Sequence, residues 1–268
     1  MVEKVTQSRL EEIVDKHFSK EEGEHAVVIK NLKTGESYVF NENKQFDSAS
    51  LYKLWVLSVA YEQLNDGKLS LTQTLTAEKE KLDEVLSAST PTPTPEEDEQ
   101  QEGEVKEKEM VSMVVGDAIE RMITVSDNYA ALLLSNRVGV SNINAFLKSY
   151  NLGGSDYKIP PNTTARDTAH FFELLYKGEL IDSQTSEKMI EILKRQTFND
   201  RIPKYLPKNT QVAHKTGELF GNKHDAGIVF GKRGDYIIVV LSKTESEAEA
   251  AEKIANFSKE IYDYFQKN

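Results

Sequence analysis

A chain of 268 residues without a cysteine must find any covalent nucleophile among its serines, threonines, lysines and carboxylates. One candidate lies in "DSASLYKLWVLSVAYEQL", where Ser50 precedes Lys53 by three residues and small polar residues give way to a helical pattern through Leu54, Leu57 and Ala60. At that spacing a hydroxyl and an ammonium share one helix face. A helix start also offers unpaired backbone N–H groups that can stabilise a developing oxyanion. Read alone, the pair is more simply a helix-start serine followed by a solvent lysine. A second copy of the spacing, Ser155 and Lys158, sits among Gly153, Gly154, Pro160 and Pro161 and reads as loop.

Two further short stretches carry polar chemistry. "TVSDNYA" holds Ser126, Asp127 and Asn128 at what the pattern makes a helix start, since Leu132 to Leu134 continue it; Ser and Asp are also ordinary cap residues. Lys-Thr-Gly occurs twice. In "NLKTGESY" the first copy, Lys33 to Gly35, joins two strand-like runs with Asn31 and Gly35 as turn residues, which predicts a hairpin loop. In "QVAHKTG" the second copy, Lys215 to Gly217, ends an alternating strand and precedes two more strand runs, "DAGIVFG" and "DYIIVVLSK".

The elements that must position these residues are legible around them. Leu10, Ile13, Val14 and Phe18 predict an opening amphipathic helix, and Ala251, Ile254, Phe257, Ile261 and Phe265 a closing one that packs on the sheet. From about Ser50 to Arg195 helix patterns dominate, in "MVVGDAIERMITV", "NYAALLLSNRVG" and "TARDTAHFFELLYKG". The expected fold is therefore α+β. Strands from both chain ends make one antiparallel sheet flanked by the terminal helices (1–45 and 196–268), and a helical lobe (46–195) is inserted between them, leaving a cleft.

Charge narrows the partners. The net charge of −11 is concentrated in Thr90 to Glu109, "TPTPTPEEDEQQEGEVKEKE", with eight acids and two bases. A Thr-Pro run followed by an acidic block buries nothing and reads as a solvated, disordered insert; lying between the Ser50 helix and the Ser126 turn, it could gate or repel anionic ligands. No basic stripe exists, which argues against nucleic acid, and no run of about 20 apolar residues exists to span a membrane. The start lacks a signal-peptide h-region. His17, His25, His170, His214 and His224 include no His-x-x-x-His pair, so no metal is expected, and Trp55 reads as core.

Taken together, Ser50-x-x-Lys53, Ser126-Asp127-Asn128 and Lys215-Thr216-Gly217, 76 and 89 residues apart, resemble the active-site set of class A β-lactamases and penicillin-binding proteins. "FDSASLYKL", "GDAIERMITVSDNYAALLL" and "VAHKTGELFGNKHDAGIVFG" are similar to the family's segments along nearly the whole chain. The resemblance implies a serine hydrolase of β-lactamase/transpeptidase-like fold that needs no cofactor. Ser50 would be acylated and Lys53 would be its base. Ser126 would relay a proton between Lys53, Lys215 and the leaving nitrogen. Asn128 would bind a substrate amide carbonyl, Lys215 and Thr216 a carboxylate, and Gly217 would leave room for the ligand. The backbone N–H groups of Ser50 and Glu218 would form the oxyanion hole. Asn222, Lys223 and His224 are further candidates for carboxylate binding. The implied partner is a small β-lactam or a peptidyl or ester acyl donor, the protein a monomer exported to the periplasm or beyond.

One departure alters the expected chemistry. Class A enzymes carry a deacylating Glu on a long loop after the Ser-Asp-Asn helix. Here no Glu occurs between Glu120 and Glu173, and the loop is shorter by about a dozen residues. Asp156 is the only acid before Asp167 that could substitute. A β-lactam should therefore acylate Ser50 and leave slowly. The alternatives are a D-Ala-D-Ala carboxypeptidase or esterase, and a noncatalytic β-lactam sensor.

Overall fold

The computed structural model describes residues 8–18, 23–88 and 108–267. The acidic stretch expected to be a disordered gate lies outside the described residues, apart from Lys108 and Glu109, which pair with Glu78 and Lys79 at 2.9 and 2.8 Å. In chain order the first elements are α1 Arg9–His17, β1 Glu24–Asn31, β2 Ser37–Phe40 and β3 Gln45–Asp47. A 3-10 turn, Ala49–Tyr52, then runs into α2 Lys53–Asn65. The middle of the chain forms β4 Thr74–Glu78, α3 Lys79–Ala88, β5 Met110–Val114, α4 Val115–Thr124, α5 Asn128–Val138 and α6 Val140–Ser149. There follow β6 Asn162–Thr164, α7 Ala165–Lys177, α8 Ser183–Leu193, β7 Gln211–Leu219, β8 Asn222–Phe230, β9 Tyr236–Lys243 and α9 Glu247–Lys267.

Strands from both ends of the chain form one five-stranded antiparallel sheet in the order β2-β1-β9-β8-β7. Period-two alternation sends successive residues of each strand into two different cores. From β9, Tyr236, Ile238 and Val240 face a cluster with Leu10, Ile13 and Val14 of α1 and Ile254, Phe257 and Ile261 of α9. Their neighbours Ile237, Val239 and Leu241 face the other way, into a larger cluster with the helices of the middle of the chain. Each fully buried Ile, Leu or Phe contributes about 1.5–3 kcal/mol, so both faces hold the sheet between helical layers. The architecture is the expected α+β one.

Local chemistry accounts for the connections. Between β1 and β2 the Asn31 Oδ1 accepts from the N–H groups of Lys33 and Thr34 at 2.9 and 3.0 Å, and Gly35 takes φ +77°. The first Lys-Thr-Gly is thus a hairpin turn. The Thr164 side chain caps α7 by accepting from Asp167 N at 3.1 Å, and Gly178 ends that helix at φ +70°. Two small strand pairs interrupt the stretch expected to be helical. β4 pairs with β5, and β3 pairs with β6. Met113 and Val114, expected to open a helix, end β5 instead, and α4 begins at Val115. Among the described residues no helix is long and apolar enough to cross a membrane.

Candidate active site

β7 is an edge strand, so one side of its backbone is left without a strand partner. It lies against the 3-10 turn that carries Ser50. Gly217 makes this closeness possible, because a Cβ there would stand 3.2 Å from the Ser48 carbonyl oxygen, 3.3 Å from Ala49 Cβ and 3.3 Å from His224 Cδ2. Gly217 thus lets the strand and the turn sit together without a side chain between them. Ala49 holds the left-handed φ of +44°, which costs about 1 kcal/mol or more for a residue with a side chain. Asp47 supports it by accepting from Ala49 N at 2.9 Å. His224 supports it from the sheet: Nε2–H donates to the Asp47 carbonyl at 2.9 Å, and Nδ1 accepts from Ser242 N at 3.0 Å. Both ring nitrogens of this fully buried histidine are therefore used, and burial lowers its pKa to about 4.

Ser126 enters from the opposite side. It joins α4 to α5 at φ +54°, pinned by its neighbour Asp127, which caps α5 through Ala130 N at 2.9 Å and receives Arg121 Nη2 at 2.7 Å. Lys53 Nζ lies 2.6 Å from the Ser126 carbonyl oxygen, 2.7 Å from Asn128 Oδ1 and 3.1 Å from Ser126 Oγ. Lys215 Nζ lies 2.9 Å from the same Oγ and 2.9 Å from the Thr216 carbonyl oxygen. Two amines thus converge on one hydroxyl, and both are fully buried.

Burial also decides their protonation. Desolvation draws the Lys53 pKa down to about 7, partly offset by the Asp127 carboxylate. Lys215 is pushed well below the ordinary lysine range, by burial first and by Lys53 second, with Asp225 opposing. A neutral Lys53 can donate its two N–H groups to the Ser126 carbonyl and to Asn128 Oδ1, leaving its lone pair for a hydroxyl proton. With Oδ1 turned to Lys53, the Asn128 amide N–H2 is the group left to donate elsewhere. Ser50 is half-buried.

A second layer of charge lies along β7. In register, Thr216 faces Asp225, Gly217 faces His224 and Glu218 faces Lys223. Asp225 accepts from His214 Nδ1 at 2.9 Å and from Ile202 N at 3.0 Å. Arg201, 1% exposed, donates Nη1 to the His224 carbonyl at 3.2 Å and pairs through Nη2 with the Glu218 carboxylate. Lys223 pairs with that same Glu218 oxygen. Sequence reasoning missed Arg201. It is a single loop arginine with no motif around it, and only its burial marks it out.

The region expected to hold the deacylation base presents other chemistry. Asp156 gives a carboxylate oxygen to Lys158 at 2.6 Å, and the buried Asp167 accepts from Ser155 Oγ at 2.9 Å. The second Ser-x-x-Lys serine is therefore part of a buried hydroxyl–carboxylate network. The same loop sets the Tyr157 ring edge-on to Tyr52 at 5.5 Å, and Tyr52 lies 6.0 Å from Lys53 Nζ. Burial raises the pKa of both phenols, so neither is a ready base. His214 has its partners in Asp225 and Asn199, and His224 in Asp47 and Ser242.

The sheet with helices on both faces and the hydroxyl shared by two buried lysines are the arrangement that the comparisons with known proteins bear on. The chain belongs to the beta-lactamase enzyme family, whose model matches residues 7–265, and within it resembles the class A members. It is 23% identical over 175 residues to beta-lactamase BRO-1 of Moraxella catarrhalis, covering 56% of this chain and 55% of that one, so the chain spans about half the length of that curated relative. Among solved structures, PBP-A has a TM-score of 0.81 at 22% identity, over 97% of this chain and 96% of PBP-A. A beta-lactamase from Sphaerobacter thermophilus DSM 20745 has a TM-score of 0.80 at 18% identity, over 98% and 99% of the two chains. A leucine-to-glutamate mutant of PBP-A, solved as an acyl-enzyme complex with penicillin G, aligns with a TM-score of 0.80 at 22% identity, over 97% of this chain and 96% of that one. These likenesses show a shared fold, and family homology implies a serine hydrolase-like enzyme.

Proposed function

We propose that this protein is acylated at Ser50 by β-lactams or related amides and esters, and that it releases the acyl group slowly. The observation that carries the reading is the convergence of Lys53 Nζ and Lys215 Nζ on Ser126 Oγ, 3.1 and 2.9 Å away, beside the turn that bears Ser50.

Neutral Lys53 takes the Ser50 proton as Oγ bonds to the acyl carbon, and the N–H groups of Ser50 and Glu218 receive the oxyanion. The C–N or C–O bond then breaks, and Ser126 delivers a proton to the leaving atom while drawing from Lys53 the proton it took from Ser50, which returns Lys53 to its neutral form. Asn128 Nδ2 holds a substrate amide carbonyl. Lys215 and Thr216 receive a carboxylate where the donor has one. Gly217 serves by letting β7 approach the turn.

Slow release is supported by the engagement of Asp156 and Asp167 elsewhere and by the Tyr52–Tyr157 pair near Lys53. The acyl-enzyme complex with penicillin G reported for the PBP-A mutant supports the choice of donor. A peptidase or esterase role is the second reading, favoured by the likeness to PBP-A. A monomer, with the 46–195 stretch as a helical lobe over the cleft and export to the cell envelope, belongs to the same family reading.

Nitrocefin consumption compared with a pre-steady-state burst tests slow release. A burst of about one equivalent followed by little turnover supports it. Steady multiple turnover without a burst overturns it.

A further inference from the structure

The Thr216 face of β7 presents an arrangement that the acyl-transfer steps do not use. Residues two apart on a strand share a face, so Glu218 lies on the same side as Thr216. Its carboxylate oxygen is held by two cations at once, Arg201 from the loop before β7 and Lys223 from β8. Arg201 is buried and Lys223 nearly so, whereas the Glu218 side chain is 48% exposed. Glu218 is therefore the solvent-side partner of a charge cluster whose cations lie beneath it.

Acids outnumber the fixed cations around this face, with Glu218, Asp225, Asp200 and Glu247 set against Arg201 and Lys223. Asp225 also acts electrostatically on Arg201, and Asp200 and Glu247 lie 3.5 and 3.8 Å from Arg201 and Lys223. Lys215, whose burial favours its neutral form, adds little fixed positive charge. A carboxylate arriving beside Thr216 would meet cations already occupied by an internal carboxylate.

We infer that Glu218 is a specificity-determining residue that selects acyl donors by charge, its side chain standing where a substrate carboxylate would be paired and so favouring donors that are neutral beside the scissile bond. The inference rests on the acyl-enzyme reading of Ser50. It names neutral amides and esters as the preferred substrate class. A carboxylate-bearing donor still reacts, but it must share or displace the Glu218 contacts with Arg201 and Lys223. Glu218 acts through its side chain here, and the backbone N–H proposed for the oxyanion hole is a separate group.

The test compares benzylpenicillin with its methyl ester, which differ by one negative charge. Second-order acylation constants are measured by intact-mass time courses on the wild type, Glu218→Gln and Lys223→Met. The readout is the ratio of the acid to the ester. Glu218→Gln is expected to raise that ratio about tenfold or more, and Lys223→Met to lower it several-fold. Damage to the β7 edge slows both donors together and leaves the ratio in place, so a Glu218→Gln ratio within about twofold of wild type overturns the inference. If neither donor labels Ser50 in the wild type, the acyl-enzyme reading itself fails, which is a separate and recognisable result.

Discussion

Lys53 can act as a base at neutral pH only because it is buried. An ordinary lysine, with a pKa near 10.5, would be neutral in roughly 3 molecules in 10,000 at pH 7, whereas a pKa of about 7 makes about half of them neutral. The shift corresponds to about 5 kcal/mol and to about three powers of ten in the reactive form. The sign follows from the mechanism: acylation needs the neutral amine, so its rate should rise with pH, tenfold per unit below about pH 6, and level off above about pH 8. The Asp127 carboxylate is the group that raises the Lys53 pKa, and Asn in its place still caps α5. Removing a neighbouring charge worth about 1 kcal/mol should move the inflection down by about 0.7 unit in Asp127→Asn. The assay is the second-order acylation constant for a neutral ester donor, measured from pH 5 to 9 in both proteins. A rate independent of pH, an inflection near pH 10, or an upward move in Asp127→Asn would refute a desolvated Lys53 as the base.

Two more outcomes follow from the geometry. Ser126→Ala removes the hydroxyl between the two lysines but leaves the Ser126 carbonyl and Asn128 to hold Lys53, so acylation should fall by about 10²–10⁴-fold with a Tm close to wild type; a loss under about threefold in the acylation assay would discard the relay. His224, with a folded pKa of about 4 against about 6.5 unfolded, contributes stability that is complete above pH 6.5 and is lost as pH falls towards 4, about 3 kcal/mol in all. Denaturant unfolding of wild type and His224→Asn should therefore show a stability gap that narrows from pH 7.5 to pH 4, and a gap of constant size would contradict it.

The parts of this molecule legible in the sequence are those fixed by local pattern. The alternation in "QVAHKTG" and the apolar runs in "DAGIVFG" and "DYIIVVLSK" carry the strands β7, β8 and β9, which are buried on both faces, and the stripe from Ile254 to Phe265 carries α9, which buries one. The β4–β5 pair was hidden. Its partners Thr76 and Ser112 stand 36 residues apart across the acidic stretch, and the short run at Met110 to Val114 blends into the helix that follows. At the site, Ser50, Lys53, Ser126 and Lys215 stand out by spacing. Arg201 and the Tyr52–Tyr157 pair do not, since each gains its place from a neighbour brought by the fold. The direction of the Glu218 side chain is likewise a tertiary fact, although strand parity puts it on the Thr216 face.

The most direct test of the central claim is intact-mass spectrometry of the protein mixed with penicillin G, followed from minutes to hours, with Ser50→Ala as the control. A mass increase of one whole drug molecule that persists on the wild type and never forms on Ser50→Ala is the predicted result. An adduct that forms equally on Ser50→Ala, or a wild type left unlabelled with the drug intact, would contradict it.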